Sequence, residues 1–218
     1  MLATTSCLNS NNNNEEEIDE EWKALNETRF AKIASDNAYN TLSSQSGSNE
    51  KVYWQASTEI TNVDKGNSVR ITVDGKPEFT DTVVVRYEAW YFDKAGVKIV
   101  FRSTENPSLK SRIDYTYGVA SSPEPNYNKV TFAINPTTTA TKANNYVEGI
   151  IEGCSILLQD MKVNDERVVC MPWELGYGRY ASTYTPTNSS PTFTLVPAYT
   201  TVWYRIKLYE IIPMKGLK

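Results

Sequence analysis

The spacing of apolar positions changes once along this chain, from helical to strand-like. Between residues 15 and 38, Ile18, Trp22, Leu25, Ala31 and Ile33 recur at helical intervals with Phe30 alongside. Glu15, Glu16, Glu17 and Asp19 gather at the leading end, where negative charge complements the helix dipole. The spacing predicts a helix over about 18–38, with its Trp and Phe docked on the following domain, and the polar run S-S-Q-S-G-S-N over 43–49 reads as a linker. After Lys51 the period shortens to the two residues of a strand. Strands are predicted at 52–59, 68–73, 82–92, 97–101, 129–134, 168–171 and 201–211, with turns at Asp74-Gly75 and over 93–96. The last strand sets Val202, Tyr204, Ile206 and Leu208 on one face and Trp203, Arg205 and Lys207 on the other. One short helix is predicted near 155–161. Runs of strands around few helices argue an α+β fold with a mostly antiparallel sheet. The chain thus divides into a tether (1–14), a helix with linker (15–50) and a β-rich domain (51–218).

Length and charge narrow the possible functions. At 218 residues and 40% hydrophobic content the chain supports one good core. A net charge of -4 and the lack of a Lys/Arg cluster argue against nucleic acid as a partner. No stretch approaches the roughly 18 to 20 apolar residues of a membrane-spanning helix. Histidine is absent, which removes the commonest general base and the commonest metal ligand. Cys7, Cys154 and Cys170 match no metal motif by spacing, so no metal is expected. Cys154 and Cys170 are expected as free thiols, with a disulfide between them as the alternative.

The first residues, M-L-A-T-T-S-C, place small side chains before Cys7, and a run rich in Asn and Glu follows at once. Small residues before a cysteine resemble the end of a bacterial lipoprotein signal, although no charged or apolar region precedes them here. The polar run cannot bury enough surface to fold and suits a spacer. Acylation at Cys7 would make the lipid anchor the only membrane contact and put the protein in the cell envelope, as a periplasmic or outer-membrane lipoprotein. The alternative is a polar tail with one incidental cysteine.

The segment I-I-E-G-C-S-I-L-L-Q-D-M-K-V-N-D-E-R-V-V-C-M-P-W-E-L-G-Y-G, over 150–178, resembles the central signature of the FKBP family of prolyl isomerases. The match covers Ile150, Ile151, Gly153, Met161, Lys162, Val163, Asp165, Pro172, Glu174, Leu175, Tyr177 and Gly178, and it is their order and spacing that carry it. Pro77 with the strand entering Tyr87, the segment V-F-R-S over 100–103, and the stretch 195–208 extend the resemblance, with gaps, from about 52 to 211. It implies an antiparallel sheet curled around a short helix, with an apolar pocket between them.

The resemblance implies a pocket lined by Tyr87, Phe101, Val130, Ile150, Ile151, Tyr177, Val196 and Tyr204. Tyr177 matches the tyrosine whose hydroxyl donates to a substrate carbonyl, and Ile151 the backbone N–H that donates to ligand. Tyr87 and Phe101 match aromatic walls, which with Tyr177 are the candidate catalytic residues. Three positions depart from the family: Cys154 replaces the tryptophan of the pocket floor, Arg102 replaces an aspartate, and Val130 replaces an aromatic wall. Tyr204 stands where the family has phenylalanine, and the connection over 179–194 is longer than the usual flap. The implied chemistry needs no cofactor, because twisting an amide in a dry pocket requires neither nucleophile nor metal. The expected partners are proline-containing peptides or unfolded exported proteins, and the departures imply a weak isomerase. The alternatives are a non-catalytic peptide- or protein-binding module on the envelope, or an adhesin-like β-sandwich, which would lack the central helix.

Overall fold

The computed structural model describes residues 18–44, 49–60, 75–104, 129–139, 141, 147–184 and 193–214. In chain order the elements are α1 (Glu20–Ala34), β1 (Asn40–Ser43), β2 (Lys51–Ala56), β3 (Thr82–Phe92), β4 (Lys98–Ser103), β5 (Val130–Ala133) and β6 (Glu148–Gly149). They continue with α2 (Glu152–Leu158), β7 (Glu166–Met171), the 3-10 turn η1 (Trp173–Leu175), β8 (Ser182–Tyr184), β9 (Phe193–Val196) and β10 (Val202–Ile212). The main sheet runs β1-β2-β7-β10-β3-β5-β6, and all its pairings are antiparallel except β5–β6. The free edge of β3 is shared, with β5 along its first half and β4 along its second. β8 and β9 form a separate ribbon.

The two-residue period of the strands sorts side chains into two layers. Val83, Val85, Tyr87 and Ala89 of β3 join Val202, Tyr204, Ile206 and Leu208 of β10 on one face, where α2 packs with every residue from Gly153 to Leu158 buried. Leu157 and Leu158 are fully buried there, each worth about 1.5–3 kcal/mol relative to exposure. Gly153 permits the close approach, since a Cβ there would lie 2.5 Å from the Met171 Sδ. On the other face Trp90, Cys170 and Trp203 pack with Phe30 and Ile33 of α1. The buried central helix rules out the β-sandwich alternative. Cys154 and Cys170 are free and buried on opposite faces of the sheet.

Several element boundaries differ from expectation for local reasons. α1 ends at Ala34 rather than near 38, because Asp36 Oδ1 accepts from the Ala38 N–H at 2.9 Å and its carbonyl accepts from Tyr39, turning the chain. Part of the expected linker is instead the edge strand β1. α2 starts a turn earlier than expected, at Glu152. Ser182–Tyr184 and Phe193–Val196, within and just beyond the expected flap, form paired strands. The expected strand at 68–73, Asp74 of the expected turn, and residues 1–17 fall outside the described residues.

α1 docks on the sheet in cis. Asp19 caps it, its carboxylate accepting from the Trp22 N–H at 2.9 Å. The Trp22 indole N–H lies 3.0 Å from both the Ala198 carbonyl and the Thr200 hydroxyl, and Arg29 donates to the carbonyls of Phe92 and Asp93. Asn26, with no exposure, accepts from the Thr201 N–H at 3.1 Å through its side chain and from the Thr201 hydroxyl at 3.0 Å through its carbonyl. Asn26→Ala strands the buried Thr201 N–H, and a loss of about 1–3 kcal/mol is expected in a urea titration.

Candidate functional site

The bend of β4 decides what faces α2. Ala89 pairs with Arg102 and Trp90 with Val100, so Phe101 is the extra residue of a bulge. A bulge breaks the strict alternation of faces. Phe101 is buried against Tyr177 and Tyr204, while Arg102, opposite Ala89, shares the core-facing side. Two consecutive residues thus serve one face.

The four expected aromatics come together. Tyr87 stacks on Tyr204 with ring centroids 5.8 Å apart and 16° between planes. Phe101 meets Tyr177 edge-on at 5.6 Å and Tyr204 at 6.2 Å. Ile150, Cys154 and Val196 are buried in the same cluster, with Val130, Ile151 and Tyr177 half-buried against it. Phe132, not anticipated, stands two residues from Val130 on the same strand and meets Tyr87 edge-on at 5.8 Å, supplying an aromatic wall where Val130 does not. Alternation along β5 was the signal that pointed to it. Thr104, also missed, anchors Tyr87 by accepting from its N–H at 2.9 Å and donating its own N–H to the Tyr87 carbonyl at 2.8 Å.

The hydroxyls have distinct surroundings. Those of Tyr177 and Tyr204 are 2.7 Å apart. One hydrogen closes that bond and the other remains available. Tyr204 is only 3% exposed and Tyr177 half-buried, so the arrangement that strands no hydrogen in the core has Tyr204 donating inward to outward. Tyr177 then keeps its O–H for a ligand. The Tyr87 hydroxyl, on a residue 1% exposed, has no hydrogen-bond partner. Burial pushes the Tyr87, Tyr177 and Tyr204 phenols up, Tyr87 and Tyr204 far above the ordinary range, and the Arg102 charge opposes the shift in each. Arg102 stands close to the Tyr87 hydroxyl without a well-formed hydrogen bond to it. Burial also raises the Cys154 thiol well above its usual value, which keeps it a neutral apolar floor. Among the described residues nothing accepts from the Ile151 N–H, which precedes the first turn of α2.

The turn before β7 accounts for one substitution within the signature. Asn164 takes φ 74°, its N–H donating to the Leu208 carbonyl at 2.8 Å, and Asp165 accepts from the Lys162 N–H at 3.0 Å. The resembled family has glycine at this place, and asparagine is among the few other residues that enter the left-handed region readily. After the turn, Pro172, η1 and Gly178 at φ 79° carry Tyr177 back over the helix. A mostly antiparallel sheet packed on a short buried helix, with the signature turns in place, decides the architecture.

The fold is FKBP-like.

No protein-family model and no curated protein matches the chain. Among solved structures the FKBP-like chain is similar to FkpA from Escherichia coli, at 18% identity and a TM-score of 0.48, covering 89% of this chain and 61% of that one. It is also similar to a peptidyl-prolyl cis-trans isomerase from Pseudomonas syringae pv. tomato, at 13% identity and a TM-score of 0.48, covering 89% of this chain and 96% of that one. The chain therefore spans less than two thirds of the length of FkpA. At such identities the chemistry has to be read from the site's own residues.

Raised tyrosine pKa values carry a sign. Below about pH 10, the ordinary phenol value, folded and unfolded chains both hold these protons. Above it the unfolded chain releases them first, so stability is lost as pH rises. Chemical denaturation between pH 8 and 11 is expected to show the midpoint falling only above about pH 10, and falling less in Tyr87→Phe.

Proposed function

We propose that this protein is a weak peptidyl-prolyl cis-trans isomerase of FKBP type, acting on exported envelope proteins from a lipid anchor at Cys7. The observation that carries the catalytic part is the convergence of Tyr87, Phe101, Tyr177 and Tyr204 above α2. Amide resonance sets a rotation barrier of about 18–20 kcal/mol. Water favours the planar, charge-separated amide over the twisted one. Aromatic walls that exclude water remove this preference, and the Tyr177 O–H holds the carbonyl while the prolyl ring turns. Chain residues supply shape, dryness and one donor, and no proton is transferred.

The Tyr177–Tyr204 hydroxyl pair also favours a second reading, a peptide-binding module without turnover. If Tyr177 donates inward, the substrate carbonyl loses its donor. Tyr204→Phe separates the two readings. With Tyr204 donating outward, the variant loses polarisation and slows isomerisation of a Xaa-Pro peptide two- to threefold by rough estimate. With Tyr177 engaged inward, the same variant is faster than wild type. Tyr177→Phe is expected to lower kcat/KM by about tenfold, equivalent to 1.4 kcal/mol. Peptide binding without acceleration of cis–trans relaxation by the wild type would leave only the module.

The anchor is tested separately. In bacteria fed labelled palmitate, the intact reading frame is expected to take up label and sediment with membranes. Cys7→Ala should abolish both, and label retained in the variant would place the lipid elsewhere or exclude it.

A further inference from the structure

Hydrogen-bonding capacity at this site is unbalanced. Arg102 offers N–H donors and no acceptor, and each tyrosine adds a hydroxyl hydrogen. Tyr204 and Tyr177 satisfy one another with a single hydrogen. The Tyr87 hydroxyl is buried with no hydrogen-bond partner, an arrangement that disfavours the empty fold unless it has a use. The bulge at Phe101 and Arg102 keeps the guanidinium on the face that carries these hydroxyls. Arg102, Tyr177 and Ile151 are half-buried and form the outer part, with Tyr87 and Tyr204 behind them.

We propose that Arg102 and the hydroxyls of Tyr87 and Tyr177 form a carboxylate site, which makes acidic peptides the preferred ligands of this domain. The inference rests on the reading of the aromatic cluster as a peptide-binding site. A planar carboxylate has two oxygens, one to meet the guanidinium fork and one to take the hydroxyl hydrogens. Its single charge matches the site: among the described residues Arg102 is the one cation that acts on all three tyrosines. A phosphate dianion would need a second. The aromatic walls exclude water and strengthen the pairing. The carboxylate could be a peptide C-terminus or an Asp/Glu side chain beside the proline.

The test uses calorimetric titration of the full chain with three peptides: acetyl-Ala-Leu-Pro-Phe with a free carboxylate, its C-terminal amide, and acetyl-Ala-Glu-Pro-Phe amide. One of the two acidic peptides is expected to bind about tenfold more tightly than the neutral amide, since charge-assisted hydrogen bonds are roughly twice as strong as neutral ones. Which one does so identifies the source of the carboxylate. Arg102→Gln should erase the preference and leave the neutral amide unaffected, and Arg102→Lys should restore only part of it. Tyr87→Phe should weaken acidic binding while raising the denaturation midpoint, a combination that loss of structure does not produce. Sodium acetate, compared with sodium chloride at equal ionic strength, is titrated in parallel against the tyrosine NMR signals. An Arg102-dependent acetate shift without peptide binding would overturn the peptide reading and keep the carboxylate site. Equal binding of all three peptides would overturn the carboxylate site and keep the peptide reading. Absence of both peptide binding and an acetate shift would overturn both.

Discussion

The architecture depends on one pairing, the antiparallel contact of β3 with β10. Nine residue pairs join the two strands, from Trp203 and Trp90 to Ile212 and Thr82. Strict alternation along both strands gives the sheet two different surfaces. Val83, Val85, Tyr87 and Ala89 match Val202, Tyr204, Ile206 and Leu208 for α2, and Trp90 and Trp203 serve α1. A one-residue slip would exchange the faces and expose both sets. The register that holds the core together therefore also aligns Tyr87 with Tyr204.

The site follows from departures from that regularity. The bulge at Phe101 and Arg102 and the left-handed residues Asn164 and Gly178 bring side chains from four segments onto one patch above the helix. α1 contributes from behind the sheet, since Trp22 and Asn26 hold the 198–201 segment just beyond buried Val196. Positions that the strand pattern alone would assign to the core thus hold the hydroxyls of the candidate site. Polar atoms sit on apolar walls, and one of them, on Tyr87, lacks a partner.

Much of this was legible in the sequence. The strand at 82–92 was legible to the residue, and the last strand to within one, because long alternating runs leave little freedom. Tyr87, Phe101, Tyr177 and Tyr204 were legible through the spacing of the signature and lie together in the structure. Short elements escaped: β1 and β6 have four and two residues, too few to show a period. Phe132 was passed over although it shares a face with Val130. The Tyr177–Tyr204 bond could not be read at all, since it depends on two hydroxyls 27 positions apart meeting across the helix. The role of Arg102 likewise required the bulge, which no propensity announces.

Cys154 and Cys170 occupy opposite sides of the sheet, one under α2 and one under α1, with no exposure at either. Joining them would require dismantling the sheet, and an oxidant cannot reach either thiol while the sheet is intact. The described fold is therefore redox-indifferent: neither a reducing cytoplasm nor an oxidising envelope changes its covalent connectivity at these two positions. Maturation on either side of a membrane needs no thiol–disulfide exchange within this core.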